Sequence, residues 1–238
     1  MIQKFTISRD DSIYEAWPDV VLTPSGKLIC VFAECTHHHD RSYTRIMLTE
    51  SVDRGRTWSP KRALADGPKV CRTTNRGGIM QLSDGRYVVL VDKIYDRGES
   101  GGRIQLYFSQ DQGQTWSEPV ETPARGIVAD KLLELDSGRW ILSCHDKETN
   151  FGYLVQRLWY SDDHGRTWSE PVVVGRQPGL NLCGVSILPI ENQTLVAFMR
   201  ENSFQGWDCF KAISNDNGET WSDLINFPLP ACHRPVAG

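Results

Sequence analysis

The chain has 238 residues, 39% of them apolar and 10% aromatic, with 26 Lys and Arg against 30 Asp and Glu for a formal charge of −4. That balance belongs to an ordinary globular protein and excludes a disordered polyelectrolyte or a strongly basic nucleic-acid binder. No apolar run approaches the roughly 20 residues that span a bilayer, so no membrane partner is expected.

The opening MIQKFTISRDD turns acidic before any apolar signal-peptide core, and the seven cysteines contain no CxxC pair. Reduced thiols and a cytoplasmic location are therefore expected. Residues 3–8 read as an outer strand that would close a ring of sheets. Next comes a hairpin over residues 22–32, with apolar strands on both sides of a turn at Gly26. The same pattern returns around Gly85 and Gly138. At residues 188–198 it returns with Glu191, Asn192, Gln193 and Thr194 in place of the glycine turn. After each hairpin a third strand is predicted, at residues 44–48, 105–108, 154–160 and 209–213. No segment shows a helical period.

Each third strand runs into one motif. Ser51-x-Asp53-x-Gly55-x-Thr57-Trp58 recurs from Ser109, Ser161 and Ser214 with all five fixed positions identical. The starts at 51, 109, 161 and 214 are spaced by 58, 52 and 53 residues. Each fixed type suits a tight turn. Asp accepts hydrogen bonds from backbone N–H groups ahead of it, Gly takes a positive φ, Ser and Thr bond locally, and Trp anchors the loop by its apolar surface. These positions are read as structural. Four short antiparallel strands repeated at this period describe β-propeller blades. The expectation is one all-β domain over residues 1–238: four blades with boxes at 51–58, 109–116, 161–168 and 214–221, and the start of a fifth. A six-bladed parent would need roughly 325 residues at this period, so the chain reads as a C-terminally truncated propeller.

The four motifs resemble the Asp-box, or BNR, repeat of the sialidase (neuraminidase) superfamily. The resemblance implies six-bladed propellers that include sialidases, other glycosidases and glycan binders. In a four-stranded antiparallel blade the first hairpin turn and the Asp-motif turn point to one face, so a site is expected at the other, where loops on a rigid scaffold carry the chemistry. Aligning the second strands on Lys27, Arg86, Arg139 and Thr194 places Ala33, Asp92, His145 and Arg200 six residues on, with Glu34, Lys93, Asp146 and Glu201 next. Charges and aromatics at one mouth suit a polar, anionic, sugar-like ligand.

By the resemblance, Asp40 matches the acid/base Asp and Arg200 matches a carboxylate-binding Arg. Ala16, in Glu15-Ala16-Trp17-Pro18, stands where the family has its first Arg. Cys35-Thr36 and Asn181-Leu182-Cys183 occupy the places of a further Arg and of the Glu that pairs with a nucleophilic Tyr. That Tyr and one more Arg would belong to later blades. The candidate catalytic residues are thus Asp40, Arg200 and Glu201. The candidate substrate-binding residues are Trp17, Asp19, Glu34, Arg76, Asp92, Asp146, Trp207 and Arg234.

The expected partner is an acidic glycan, with no cofactor. The run from His37 to Asp40 offers imidazole and carboxylate donors, but three consecutive His cannot converge on one ion, so no metal is expected. Cys183 and Cys232 start first strands and read as buried thiols rather than nucleophiles. The function expected is a sialidase-like glycoside hydrolase acting on terminal acidic sugars. Its alternatives are a non-catalytic glycan-binding propeller and a uronic-acid lyase using Lys93, His145 and Asp146.

Overall fold

A computed structural model describes residues 4–37, 43–66, 72–75, 78–94, 102–128, 130–148 and 150–229. Among them there is no helix, and the strands form four antiparallel sheets. The first runs β1 (Tyr14–Leu22), β2 (Leu28–Cys35), β3 (Thr44–Ser51), β4 (Arg62–Asp66). In the second, β5 (Arg72–Asn75) and β6 (Ile79–Gln81) both pair with β7 (Tyr87–Ile94), followed by β8 (Arg103–Ser109) and β9 (Val120–Arg125). The third repeats this split innermost strand, with β10 (Ile127–Val128) and β11 (Leu133–Glu134) on β12 (Trp140–Lys147), then β13 (Leu154–Ser161) and β14 (Val172–Gly175). The fourth is β15 (Leu182–Pro189), β16 (Leu195–Glu201), β17 (Cys209–Ser214) and β18 (Ile225–Phe227). Each sheet is an up-and-down meander of the kind that forms one propeller blade, and the fold is of the all-β propeller class.

The chain divides into two compact units, residues 1–121 and 122–238, each holding its own apolar core. In the first unit Ile29, Val31 and Ala33 of β2 meet Ile46 and Leu48 of β3 and Val89 and Val91 of β7. In the second, Ile141 and Leu158 pack with Leu182, Val185, Leu195 and Met199. Alternation along the strands produces this, because every second residue of a second strand points to one side. Residues 4–10 form no strand; Ile7 instead packs on the other face of β2 and β3, beside Cys30, Phe32, Met47 and Trp58. Alternation in Lys4-Phe5-Thr6-Ile7 is satisfied by burying a single side chain, which needs no ladder. The predicted start of a fifth blade lies outside the described residues.

The four boxes are built almost identically. Asp53 Oδ1 accepts from Ser51 Oγ at 2.8 Å and from Thr57 N at 2.9 Å, while Oδ2 takes the Thr57 hydroxyl at 2.7 Å. Ser51 Oγ in turn accepts from Gly55 N at 2.8 Å, and the Trp58 indole N–H donates to Gly55 O at 3.1 Å. Asp111, Asp163 and Asp216 repeat the carboxylate bonds. Trp168 departs from the set: its buried Nε1 has no acceptor among the described residues. Two successive left-handed residues make the bend. The glycine is joined by the residue before it, Arg54, Gln112, His164 or Asn217, with φ of 55–62°. Sequence pattern gave no sign of that second position, which holds four different side chains. The glycine-free hairpin is solved the same way, with Asn192 and Gln193 at φ of 60° and 62°.

These bonds have a consequence in acid. The Thr57 backbone N–H and hydroxyl hold Asp53 down to about 2 from the usual 3.8, and the hydroxyl and N–H of Thr115 and Thr167 do the same for Asp111 and Asp163. A carboxyl depressed in the folded state contributes stability that is complete above its unfolded value and lost as pH falls through the folded one. Melting temperature is therefore expected to drop between pH 4 and 2. Asp163→Asn should make that drop shallower, and an unchanged profile in the variant would show that the clamp is not the titrating element.

Cations just after the hairpin turns tie neighbouring sheets together. Lys27 Nζ donates to Glu50 at 3.0 Å and to the carbonyl of Gln112 in the next box at 2.7 Å. Arg139 binds Asp162 at 2.7 and 2.9 Å, reaches Glu219 and the carbonyl of Asn217, and stacks 4.1 Å from the Tyr160 ring. Both contacts put the first hairpin turn and the box at one end of the sheets, leaving the joins between second and third strands at the other.

Candidate functional site

Within each unit, the end of the sheets opposite the boxes is formed by the ends of the second strands. Ala33 and Glu34 lie near the end of β2, Asp92 and Lys93 near the end of β7, His145 and Asp146 near the end of β12, and Arg200 and Glu201 end β16. The predicted alignment of these positions is thus met strand by strand. Asp40, Arg76 and Arg234 lie outside the described residues.

Innermost strands reach this rim through bulges. In β1 the register slips between Ala16 and Asp19, and in β15 between Cys183 and Ser186. Each slip contains one left-handed residue, Trp17 (φ 54°) and Gly184 (φ 58°). Glycine takes this shape without steric cost, whereas Trp17 is held in it by packing on the core of its unit, with Tyr14 edge-on at 6.0 Å. The bulge turns Asp19 toward the next sheet, where its Oδ2 accepts from Ile79 N at 2.9 Å. In the second unit Asp130 accepts from Ser186 Oγ at 2.8 Å. Asp19 therefore latches one sheet to the next. Ala16 pairs directly with Ala33, so the rim of the first sheet is small and uncharged at that point.

Glu34 belongs to a polar cluster on the outer side of the first sheet. Its Oε1 accepts from the Tyr43 hydroxyl at 2.9 Å, and Lys61 Nζ lies 2.6 Å from Oε2. Lys61 also bonds Glu15 at 2.8 Å and lies 3.4 Å from Asp10. Burial works against the ammonium, yet its bonds to Glu15 and Glu34 hold it charged well above the ordinary lysine value. An open hollow of about 440 Å³ is lined by Asp10, Ser12, Ile13, Glu34, Thr36, Tyr43 and Lys61. Thr36 N donates to Tyr43 O at 3.2 Å beside this hollow.

Asp92 has no solvent exposure. Asp146 is half-buried, and burial raises its carboxyl above the ordinary value against the opposing effects of the Lys147 N–H and Arg157. His145 Nδ1 accepts a long bond, 3.4 Å, from Gly184 N. Burial pushes the Cys183 thiol up to about 11, so it stays protonated at neutral pH and is a poor nucleophile. Among the described residues no group of three His, Cys, Asp or Glu side chains could hold a metal ion.

The fourth sheet carries the clearest chemistry. Arg200, opposite Cys183, is half-buried and donates to Asn202 Oδ1. Arg139, Arg157 and Arg176 each face a carboxylate. Among the described residues Arg200 has no such ion pair, and its guanidinium donates to a neutral amide. Glu201 turns back into its own loop, where its carboxylate accepts from Asn181 N, Ser203 N and the Ser203 hydroxyl at 2.8–3.1 Å. Trp207 stands 55% exposed on the loop from β16 to β17. Phe204, which the pattern did not single out, is 85% exposed on the same loop. The signal available was a lone aromatic in the polar run Asn202-Ser203-Phe204-Gln205-Gly206.

The chain is similar to known proteins in sequence and in fold. A sialidase of Paraclostridium sordellii is 28% identical over 186 residues, covering 64% of this chain and 46% of that protein. A Clostridium perfringens sialidase is 28% identical over 188 residues, covering 69% of this chain and 48% of its own length. The chain thus spans about half the length of the curated relatives it matches. The solved Hadza microbial sialidase Hz136 superposes with a TM-score of 0.72 at 20% identity, over 90% of this chain and 47% of that one, a likeness of fold. The family model described as the BNR repeat-like domain matches residues 3–117 and 88–235, and the chain belongs to that family.

Proposed function

We propose that the chain is a sialidase-like glycoside hydrolase acting on terminal acidic sugars of glycans. The observation that carries this reading is Arg200, a half-buried guanidinium on a rigid strand end whose only described side-chain partner is a neutral amide. A guanidinium fork matches a carboxylate in shape and charge, and one with no carboxylate partner among the described residues favours an anionic ligand. The names of the curated relatives support the same substrate class.

In this reading Arg200 orients the sugar carboxylate. Asp40 protonates the glycosidic oxygen as the bond to the anomeric carbon breaks, and water finally supplies the hydroxyl at that carbon. A second reading, glycan binding without hydrolysis, is favoured by the Ala16–Ala33 pair, which puts alanine where the resemblance expects the family's first arginine.

Incubation with sialylated lactose, followed by mass spectrometry, separates the two. Free sialic acid and lactose are expected. Saturable binding with no product would establish the binding reading, and neither binding nor product would overturn both.

A further inference from the structure

The loop from β16 to β17 holds two large aromatic side chains in water and spends backbone strain to do so. Phe204 adopts a φ of 60°, a left-handed shape unfavourable for a bulky residue, and Gly206 follows at 80°. The loop is nonetheless fixed at its base. Glu201 accepts from Ser203 and Asn181, Asn202 N donates to Asn181 O at 2.9 Å, and Arg200 is joined to Asn202. The strained, exposed Phe204 and the exposed Trp207 on a loop held at its base are poorly explained by folding, because neither ring contributes much burial. Its place is informative: Met199 pairs with Phe210, so the loop emerges at the same strand ends as Arg200.

We propose that Phe204 and Trp207 form an aromatic platform for the neutral sugar next to the acidic terminal residue, so that this loop selects extended glycans; the proposal rests on the glycan reading above. The C–H face of a pyranose stacks on an aromatic ring, while Asn202, Ser203 and Gln205 supply partners for its hydroxyls. Because the loop is already ordered, little conformational entropy is lost on contact.

The test uses the full chain and a Phe204→Ala/Trp207→Ala double variant, with lactose as the probe of the neutral subsite. Saturation-transfer NMR should show lactose bound by the parent and bound about tenfold more weakly by the variant. In parallel, the ratio of kcat/KM on sialylated lactose to that on the methyl glycoside of sialic acid should fall about tenfold. Both side chains are exposed, so the variant is expected to melt like the parent. Lactose binding that is absent, or equal in both proteins, overturns the platform. Platform-dependent lactose binding without cleavage of sialylated lactose overturns the hydrolase reading and leaves the platform standing.

Discussion

Asp40→Asn is expected to lower turnover of sialylated lactose by about 10²–10⁴-fold while leaving its dissociation constant within a few-fold. The amide keeps the size and hydrogen-bonding reach of the carboxyl but has no proton to give, so it removes acid catalysis and little else. A leaving group that needs no protonation should be rescued. On an aryl glycoside with an acidic phenol, the deficit should shrink well below that on lactose, because departure no longer depends on the proton. Equal deficits on both substrates would assign Asp40 to positioning, and unchanged turnover would remove it from the mechanism.

Arg200→Ala should produce the opposite division. Removing the guanidinium takes away an interaction with a fixed carboxylate in substrate and transition state alike, so weaker binding is expected to dominate, with kcat/KM down about 10²–10³-fold. Arg200→Lys should recover only part of this, since an ammonium offers charge without the two-pronged geometry. Competition by a sugar acid against its neutral analogue gives a direct measurement. The parent should prefer the acid, and the alanine variant should lose that preference. Persistence of the preference would place the carboxylate site elsewhere. Stability should change little in either variant, because the described bonds of Arg200 end on Asn202, which Asn181 holds independently through its carbonyl.

The repeat made most of the architecture legible. Four copies of Ser-x-Asp-x-Gly-x-Thr-Trp located the turns, and the third strands ending at them began where expected, at Thr44, Leu154 and Cys209, with one starting two residues early at Arg103. Periodicity identified these elements because every constraint in the box is local. What escaped the sequence depends on pairing at a distance. Arg139 meets Asn217 and Glu219 about eighty positions later, and Asp19 meets Ile79, with no local pattern to announce either. Trp17 read as a pocket aromatic; its left-handed backbone and its packing on the core follow from a bulge that only the register reveals. Glu201 read as a catalytic residue, and the structure gives its carboxylate three donors, because a glutamate at a strand end can fold back onto the loop that follows, at Ser203, and reach the start of the paired strand, at Asn181. Residues 4–8 alternate like a strand, yet packing one isoleucine satisfied them. In the site, Arg200 was legible from its place at the end of an apolar strand, whereas Phe204 was not, since exposure leaves no trace in composition.

The closed hydrogen-bond circuit at each Asp turn spans at most four positions in the chain. Its formation requires no partner from a distant part of the molecule, so each hairpin end can be secured early, before the slower search that aligns one sheet on another. A segment copied within a gene would arrive with its own fastener already encoded, and lengthening such a protein by one more unit would demand few new compensating changes elsewhere.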